Sequence, residues 1–263
     1  MVGLDNTAAT PAKCKTYPLP KTESYPMASF YPSVSTIETF ITCGARGLAK
    51  LQGHREPESD AMREGTRNHR LVQSALVTGK PISPLEVAAV SVLRVLPVGL
   101  GDVEPHNVER VLVLPGWHGY IDWAAMGWRH GDLKFTSNVR NQVKKNPAED
   151  PQRIVYALDH FYRTGDRRTA QTWSVAQFNG KNPKRLDFFW TPKTAKAAYE
   201  KIIAKPLDKL NEHLHSGTHW NDAPKNLAAC DKYPPNGCPM VGLGCKRSLS
   251  QRLIQLQPGK IKV

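Results

Sequence analysis

No run in this chain approaches the ~20 consecutive apolar residues that a helix needs to cross a bilayer, so a helical membrane protein is not expected. The start shows no basic stretch leading into an apolar one, which speaks against secretion and for a cytoplasmic location. Cysteine is sparse, with five residues in 263. In an intracellular chain such a set points to metal or to chemistry rather than to a disulfide framework. Internal repeats and low-complexity blocks are both missing, so the sequence reads as one domain rather than an array. A helicase motif is missing too, and any unwinding would need a partner protein. Acid is also in short supply: 23 Asp and Glu stand against 36 Lys and Arg, a formal charge of +13. That excess favours a polyanionic partner, nucleic acid above all, through phosphate contacts and counterion release. The plainer alternative is a basic protein with no such partner.

What is present falls into a clear order. Residues 1–33 carry prolines at 11, 18, 20, 26 and 32 with no periodicity, and are expected to form a flexible arm. Ser35-Thr36-Ile37-Glu38 has the form of a capping box and predicts a helix carrying Ile37, Phe40, Ile41 and Cys43. A second helix is predicted from about Ser59 to Leu76, with Met62, Gly65, His69, Val72 and Leu76 on one face. A third, apolar helix is expected from Pro84 to about Leu96. The period then changes to that of strands. Val108–Leu114 and Gly119–Ala125 are expected to pair across Pro115-Gly116, and Asp132–Thr136 to form a third strand entered through His130-Gly131. Asp150-Pro151 supplies an N-cap and a first-turn proline for a helix to about Tyr162. Thr169–Phe178 and Arg185–Trp190 flank an Asn179-Gly180 turn as another strand pair. A long helix over 192–215, bent or broken at Pro206, precedes a Gly- and Pro-rich end with three cysteines.

Several of these positions carry groups suited to phosphate chemistry. Asp122 and Asp132 flank a hairpin-length segment, so adjacent antiparallel strands would bring two carboxylates within reach of one divalent cation. Lys134, two residues past Asp132, shares its face of the strand and could steer a water. Gln152 and Tyr156 are one helical turn apart and present together. His69 on an apolar helix face is ordinarily a core residue, but Gly65 one turn earlier leaves room beside the imidazole, a common metal ligand. Each of these features alone is commonplace: a strand-end acid, a surface ion pair, a solvated helix edge.

Their order is not commonplace. Gly65-x-x-x-His69, Gly119-x-Ile121-Asp122, Asp132-x-Lys134 and Gln152-x-x-x-Tyr156 resemble the motif series of RecB-like PD-(D/E)XK nucleases. Phe135 stands where that family usually has threonine, and Gln73 where it often has glutamate a turn after the histidine. The resemblance covers about residues 34–246. It implies an α/β fold with a PD-(D/E)XK core, a mixed central sheet flanked by helices, and hydrolysis of DNA with Mg2+ or Mn2+. His69, Asp122, Asp132 and the Leu133 carbonyl would hold the cation, Lys134 would orient the attacking water, and Gln152 and Tyr156 would place Lys134 and the strand. DNA, with a single strand as one option, would be the partner, together with a recombination or helicase protein. Phage DNA processing, recombination and repair are the settings implied.

One cysteine before the core (Cys43) and three after it (Cys230, Cys238 and Cys245) resemble the iron–sulfur subgroup of that family. There four thiolates hold a 4Fe–4S cluster, here clamping a closing segment over 216–246 onto the domain and leaving 247–263 as a basic tail. Zinc in a four-cysteine site is the competing reading, although no Cys-x-x-Cys knuckle is present. Buried apolar packing of the thiols is the plainest one. A scaffold that keeps the nuclease fold only to bind DNA is the alternative for the whole chain.

Overall fold

The computed structural model describes residues 32–125 and 129–226, together with 228, 238, 240 and 245. The arm before Pro32, Cys230, most of the closing segment and the basic tail lie outside the described residues. Five strands form one sheet in chain order: β1 (Val108–Val111), β2 (Tyr120–Ala124), β3 (Arg129–Thr136), β4 (Thr169–Gln177) and β5 (Lys184–Trp190). Only β3 and β4 run parallel; the other pairs are antiparallel. A parallel pair needs a crossover, and here it carries two helices, α5 (Val139–Val143) and α6 (Pro151–Thr164).

Helices cover both faces. Before the sheet come α1 (Val34–Thr42), α2 (Gly44–Leu51), α3 (Asp60–Thr78) and α4 (Val87–Leu93), and after it α7 (Pro192–Tyr199) and α8 (Lys205–His215). Val72, Leu76, Ala89 and Val92 from α3 and α4 pack on Trp123, Leu133 and Ala176 of one face. A larger core on the other side joins α1, α2, α6, α7 and α8, with Ile37, Leu48, Ile154, Ile203 and Leu210 wholly buried. This is the mixed sheet flanked by helices that the resemblance implies.

Several boundaries depart from the sequence reading, each for a physical reason. Ser33, not Ser35, caps α1, its hydroxyl accepting the Thr36 N–H at 3.2 Å. The chain breaks at Cys43, which adopts an extended conformation (φ −157°, ψ 111°), so the expected helix ends before it and α2, which was not expected, follows. α4 is shorter than expected, since Leu96 precedes Pro97 and is disfavoured in the helical region. β1 stops at Val111 because the Val113 and Leu114 N–H groups donate to the buried Asp159 carboxylate at 2.6 and 3.0 Å. The long helix does deviate near Pro206, as a π turn at Glu200–Ala204 between α7 and α8. Proline cannot donate to the carbonyl four residues back and crowds it, and the wider turn relieves both.

Candidate active site

The geometry of the acids follows from strand register. Trp123 pairs with Gly131 and Ala124 with His130, so one step further the antiparallel pattern sets Asp122 against Asp132. There a side chain joins the strands: the Leu133 N–H donates to Asp122 Oδ2 at 2.7 Å. From the opposite wall α3 brings His69, whose Nδ1 lies 3.6 Å from the same carboxylate oxygen. The imidazole is also edge-on to Phe135, with centroids 5.3 Å apart. Phe135 therefore touches a candidate ligand directly.

A second group gathers around Asp132. Lys134 Nζ is 2.9 Å from Asp132 Oδ2 and donates to Gln152 Oε1 at 2.8 Å. Gln152 Nε2 donates to Asp132 Oδ1 and to the Tyr156 hydroxyl, both at 2.7 Å. The Tyr156 hydroxyl in turn donates to the Tyr120 carbonyl at 2.5 Å. The Gln152 amide is thus fully used, with one oxygen and two N–H bonds committed. The cap that starts α6 aims it: Asp150 accepts the Gln152 and Arg153 N–H groups, and Pro151 fixes the first turn. Strand register brings Asp122, Asp132, Leu133 and Lys134 together, and α3 and α6 bring His69, Gln152 and Tyr156 up to them.

Burial makes the electrostatics strong. It raises the Asp132 carboxyl; Lys134 opposes and Asp122 adds to the shift, leaving the group at about 7. Burial would likewise raise Asp122, but His69, Lys134 and the Leu133 N–H outweigh it and hold Asp122 below the usual carboxylate range. Burial would depress both Lys134 and His69, yet the neighbouring acids keep each above its ordinary value. Burial and the two acids push the Tyr156 phenol well up, so it stays a neutral donor. A pH consequence follows for Asp132. Its folded-state value, about 7, exceeds its ordinary 3.8, so folding takes up a proton in that window and stability falls as pH rises through it. Asp122, shifted the other way, loses stability only as pH falls through its own depressed value. Thermal unfolding without divalent ions should therefore show Tm of the wild type dropping more steeply between about pH 4 and 7 than that of Asp132→Asn. Parallel curves would contradict this picture.

His69, Asp122 and Lys134 open into a cleft of about 780 Å3, lined also by Arg70, Tyr120 and Phe135 among others, with Asp132 buried behind it. Among the described residues no three His, Cys, Asp or Glu side chains stand close enough to enclose an ion as they are. Asp132 Oδ2 is nevertheless buried, with the Lys134 ammonium beside it at 2.9 Å but no aligned hydrogen bond. Carboxylate and carbonyl oxygens are the donors that hard divalent cations take, with the imidazole the softer member of the set. The residues fit Mg2+ or Mn2+.

Sequence reasoning missed the buried surroundings of Lys134. The Arg153 guanidinium is sandwiched between Trp173 (3.6 Å) and Phe188 (3.9 Å), and Lys134 Nζ lies 5.0 Å from the same indole. None of the three guanidinium nitrogens has a hydrogen-bond partner, and burial lowers its pKa to about 10. Nothing in the local sequence signals this; it arises from β4 and β5 aligning beside α6.

Of the four cysteines, Cys43 and Cys238 are buried and Cys245 is half-buried, all three against the larger core. The Cys245 N–H donates to the Met240 carbonyl at 2.9 Å. Cys230 lies outside the described residues.

No family model and no curated protein matches this sequence. Solved structures do. The crystal structure of a candidate exonuclease from Eubacterium rectale aligns with a TM-score of 0.53 at 16% identity, covering 87% of this chain and 93% of that one. An alkaline exonuclease from Laribacter hongkongensis aligns at 12% identity over 70% of this chain and 90% of that one. Its TM-score of 0.32 is too low to argue from. The chain therefore shares the fold of the first: mixed α/β, with a five-stranded mixed sheet flanked by helices.

Proposed function

We propose that this chain is a divalent-metal-dependent DNA nuclease of the PD-(D/E)XK type, acting as an exonuclease in recombination, repair or phage DNA processing. The observation that carries the reading is the convergence, at one cleft and just behind it, of Asp122, Asp132 and His69 with a lysine held by Gln152, itself bonded to Tyr156. His69, Asp122, Asp132 and the Leu133 carbonyl would hold Mg2+ or Mn2+. A bound cation would supply Lewis-acid polarisation of a phosphoryl oxygen and a more acidic water. This chain's own residues do the rest. Lys134 orients the water that forms the new P–O bond, and its charge offsets the negative charge that builds as the bond to the leaving sugar oxygen breaks. Gln152 keeps Lys134 from wandering, and Tyr156 locks Gln152 to the backbone of β2.

The basic composition supports a polyanionic substrate, and the likeness to the E. rectale structure supports the fold on which such sites are built. We also propose that Cys43, Cys230, Cys238 and Cys245 hold a 4Fe–4S cluster, with zinc as the rival occupant. Cys43, Cys238 and Cys245 pack against one core, but among the described residues they do not stand as a ready-made metal site, so the proposal rests on the sequence resemblance. Iron and sulfide analysis of anaerobically purified protein separates the two: brown protein with iron is expected, and colourless protein with stoichiometric zinc would replace the cluster. Digestion of 5′- and 3′-labelled strands in Mg2+ and in Mn2+ tests the activity itself. Terminal nucleotides released in stepwise order would support the exonuclease reading. Binding without cleavage in either metal would reduce the chain to a DNA-binding scaffold.

A further inference from the structure

The cleft holds more than the groups that would cut a phosphodiester. Tyr120 stands two residues before Asp122 on β2, so the two side chains share a side about 7 Å apart. Its ring is 51% exposed, unusual for a large aromatic side chain so near buried acids, and lines the cleft with Asp122 and Lys134. The backbone beneath the ring is rigid, since the Tyr156 hydroxyl donates to the Tyr120 carbonyl. The side chain itself is steadied by His118, edge-on at 5.9 Å. An exposed aromatic on a fixed backbone is poised to stack.

The facing wall is α3. Its side chains at the cleft include the exposed Met62 and Arg70. Arg63 and Arg67 on the same helix are committed to Asp60, Glu64 and Glu86. Arg70 makes no ion pair among the described residues, and it lines both the cleft and the neighbouring basic hollow that contains Arg63 and Arg67. An uncommitted guanidinium opposite an exposed aromatic ring, with paired acids between them, matches one class of ligand. Nucleotides present a flat face and a phosphate at this scale, and strands are held by aromatic stacking plus cationic contacts to the backbone.

Resting on the nuclease reading of the same cleft, we infer that Tyr120 and Arg70 form a nucleotide cradle. Tyr120 stacks on an unpaired base beside the scissile phosphate, and Arg70 grips a neighbouring phosphate. Inside a duplex the base faces are covered by their neighbours, so away from an end Tyr120 would have nothing to stack on. The cleft's 780 Å3 lies in the range of small-molecule pockets, about 300–1,000 Å3, which suits a short unpaired stretch. The cradle therefore makes the site select an unpaired end, with little regard to sequence, because every base has a face.

The test uses the full-length protein and a short DNA strand ending in 2-aminopurine, whose fluorescence falls when it stacks. Binding is read by anisotropy without divalent ions, and cleavage separately in Mg2+. Tyr120→Ala should lose the quenching and bind the single strand about tenfold more weakly, while Tyr120→Phe should retain both. Arg70→Gln should weaken binding and lower the salt slope by about one phosphate contact, with the quenching kept. The same sequence within a closed circular duplex, which has no terminal base face, should bind both Tyr120 variants like wild type. Quenching and affinity unchanged in Tyr120→Ala would overturn the cradle, whatever the cleavage result. A wild type that shows the Tyr120-dependent quenching but cuts no DNA would overturn the nuclease reading and leave the cradle standing. Absence of both binding and cleavage in the wild type would overturn both.

Discussion

Lys134→Ala is expected to fold like the wild type and to cleave DNA about a hundred- to a thousand-fold more slowly, the usual cost of removing a preorganised charge from a reacting centre. The reason is double. Lys134 is the nearest cation to Asp132, and its charge is the main influence opposing the burial that raises that carboxyl. Without it Asp132 would hold its proton more firmly at neutral pH and make a poorer ligand. Gln152 Oε1 would also lose its donor, leaving the amide free to turn and releasing its grip on Tyr156. Single-turnover rates and circular dichroism on the same preparation check the two halves of the expectation. A variant that is folded and cuts at the wild-type rate would remove Lys134 from the mechanism.

Gly131→Ala should be the most damaging small change in the fold. A Cβ there would lie 2.3 Å from the Thr172 carbonyl oxygen and 2.3 Å from Trp123 Cζ2. Neither neighbour can retreat: Thr172 is paired with Gly131 in the parallel ladder, and Trp123 is wholly buried. Overpacking of a tight core costs about 1–3 kcal/mol and occasionally more, and this site belongs at the upper end. Since Gly131 directly precedes Asp132, the strain would reach the acid as well. Chemical denaturation should show the loss, while Gly65→Ala serves as the contrast. Nothing lies within 4 Å of a Cβ at Gly65, and alanine is favoured in a helix by about 0.5–1 kcal/mol. Equal stability of the two variants would contradict the packing argument.

These two positions also show what could be read from residues alone. The Asp132/Lys134 alternation, the Asp150-Pro151 cap and the Gln152/Tyr156 turn are local rules, and the structure places them as the periodicities require. The residues of the four motifs lie beside one another in the fold. What escaped was set by distant neighbours. The break at Cys43 goes with Gly47 in α2, where a Cβ would lie 2.5 Å from the backbone of Phe40, a close helix approach that no window of sequence reveals. The early end of β1 depends on Asp159, which is 45 residues from Leu114. Arg153 between Trp173 and Phe188 needs three elements in register. Tyr120 was within reach, since strand alternation alone sets it beside Asp122; its exposure was not.

The central claim is that Asp122, Asp132 and Lys134 cut DNA with the help of a divalent cation. Side-by-side digestion of an end-labelled strand by wild-type and Asp132→Ala protein, with Mg2+ and with chelator, tests it most directly. The account predicts cleavage only by the wild type and only with Mg2+, the variant being slower by orders of magnitude. Cleavage by Asp132→Ala at the wild-type rate, or by the wild type in chelator, would contradict it.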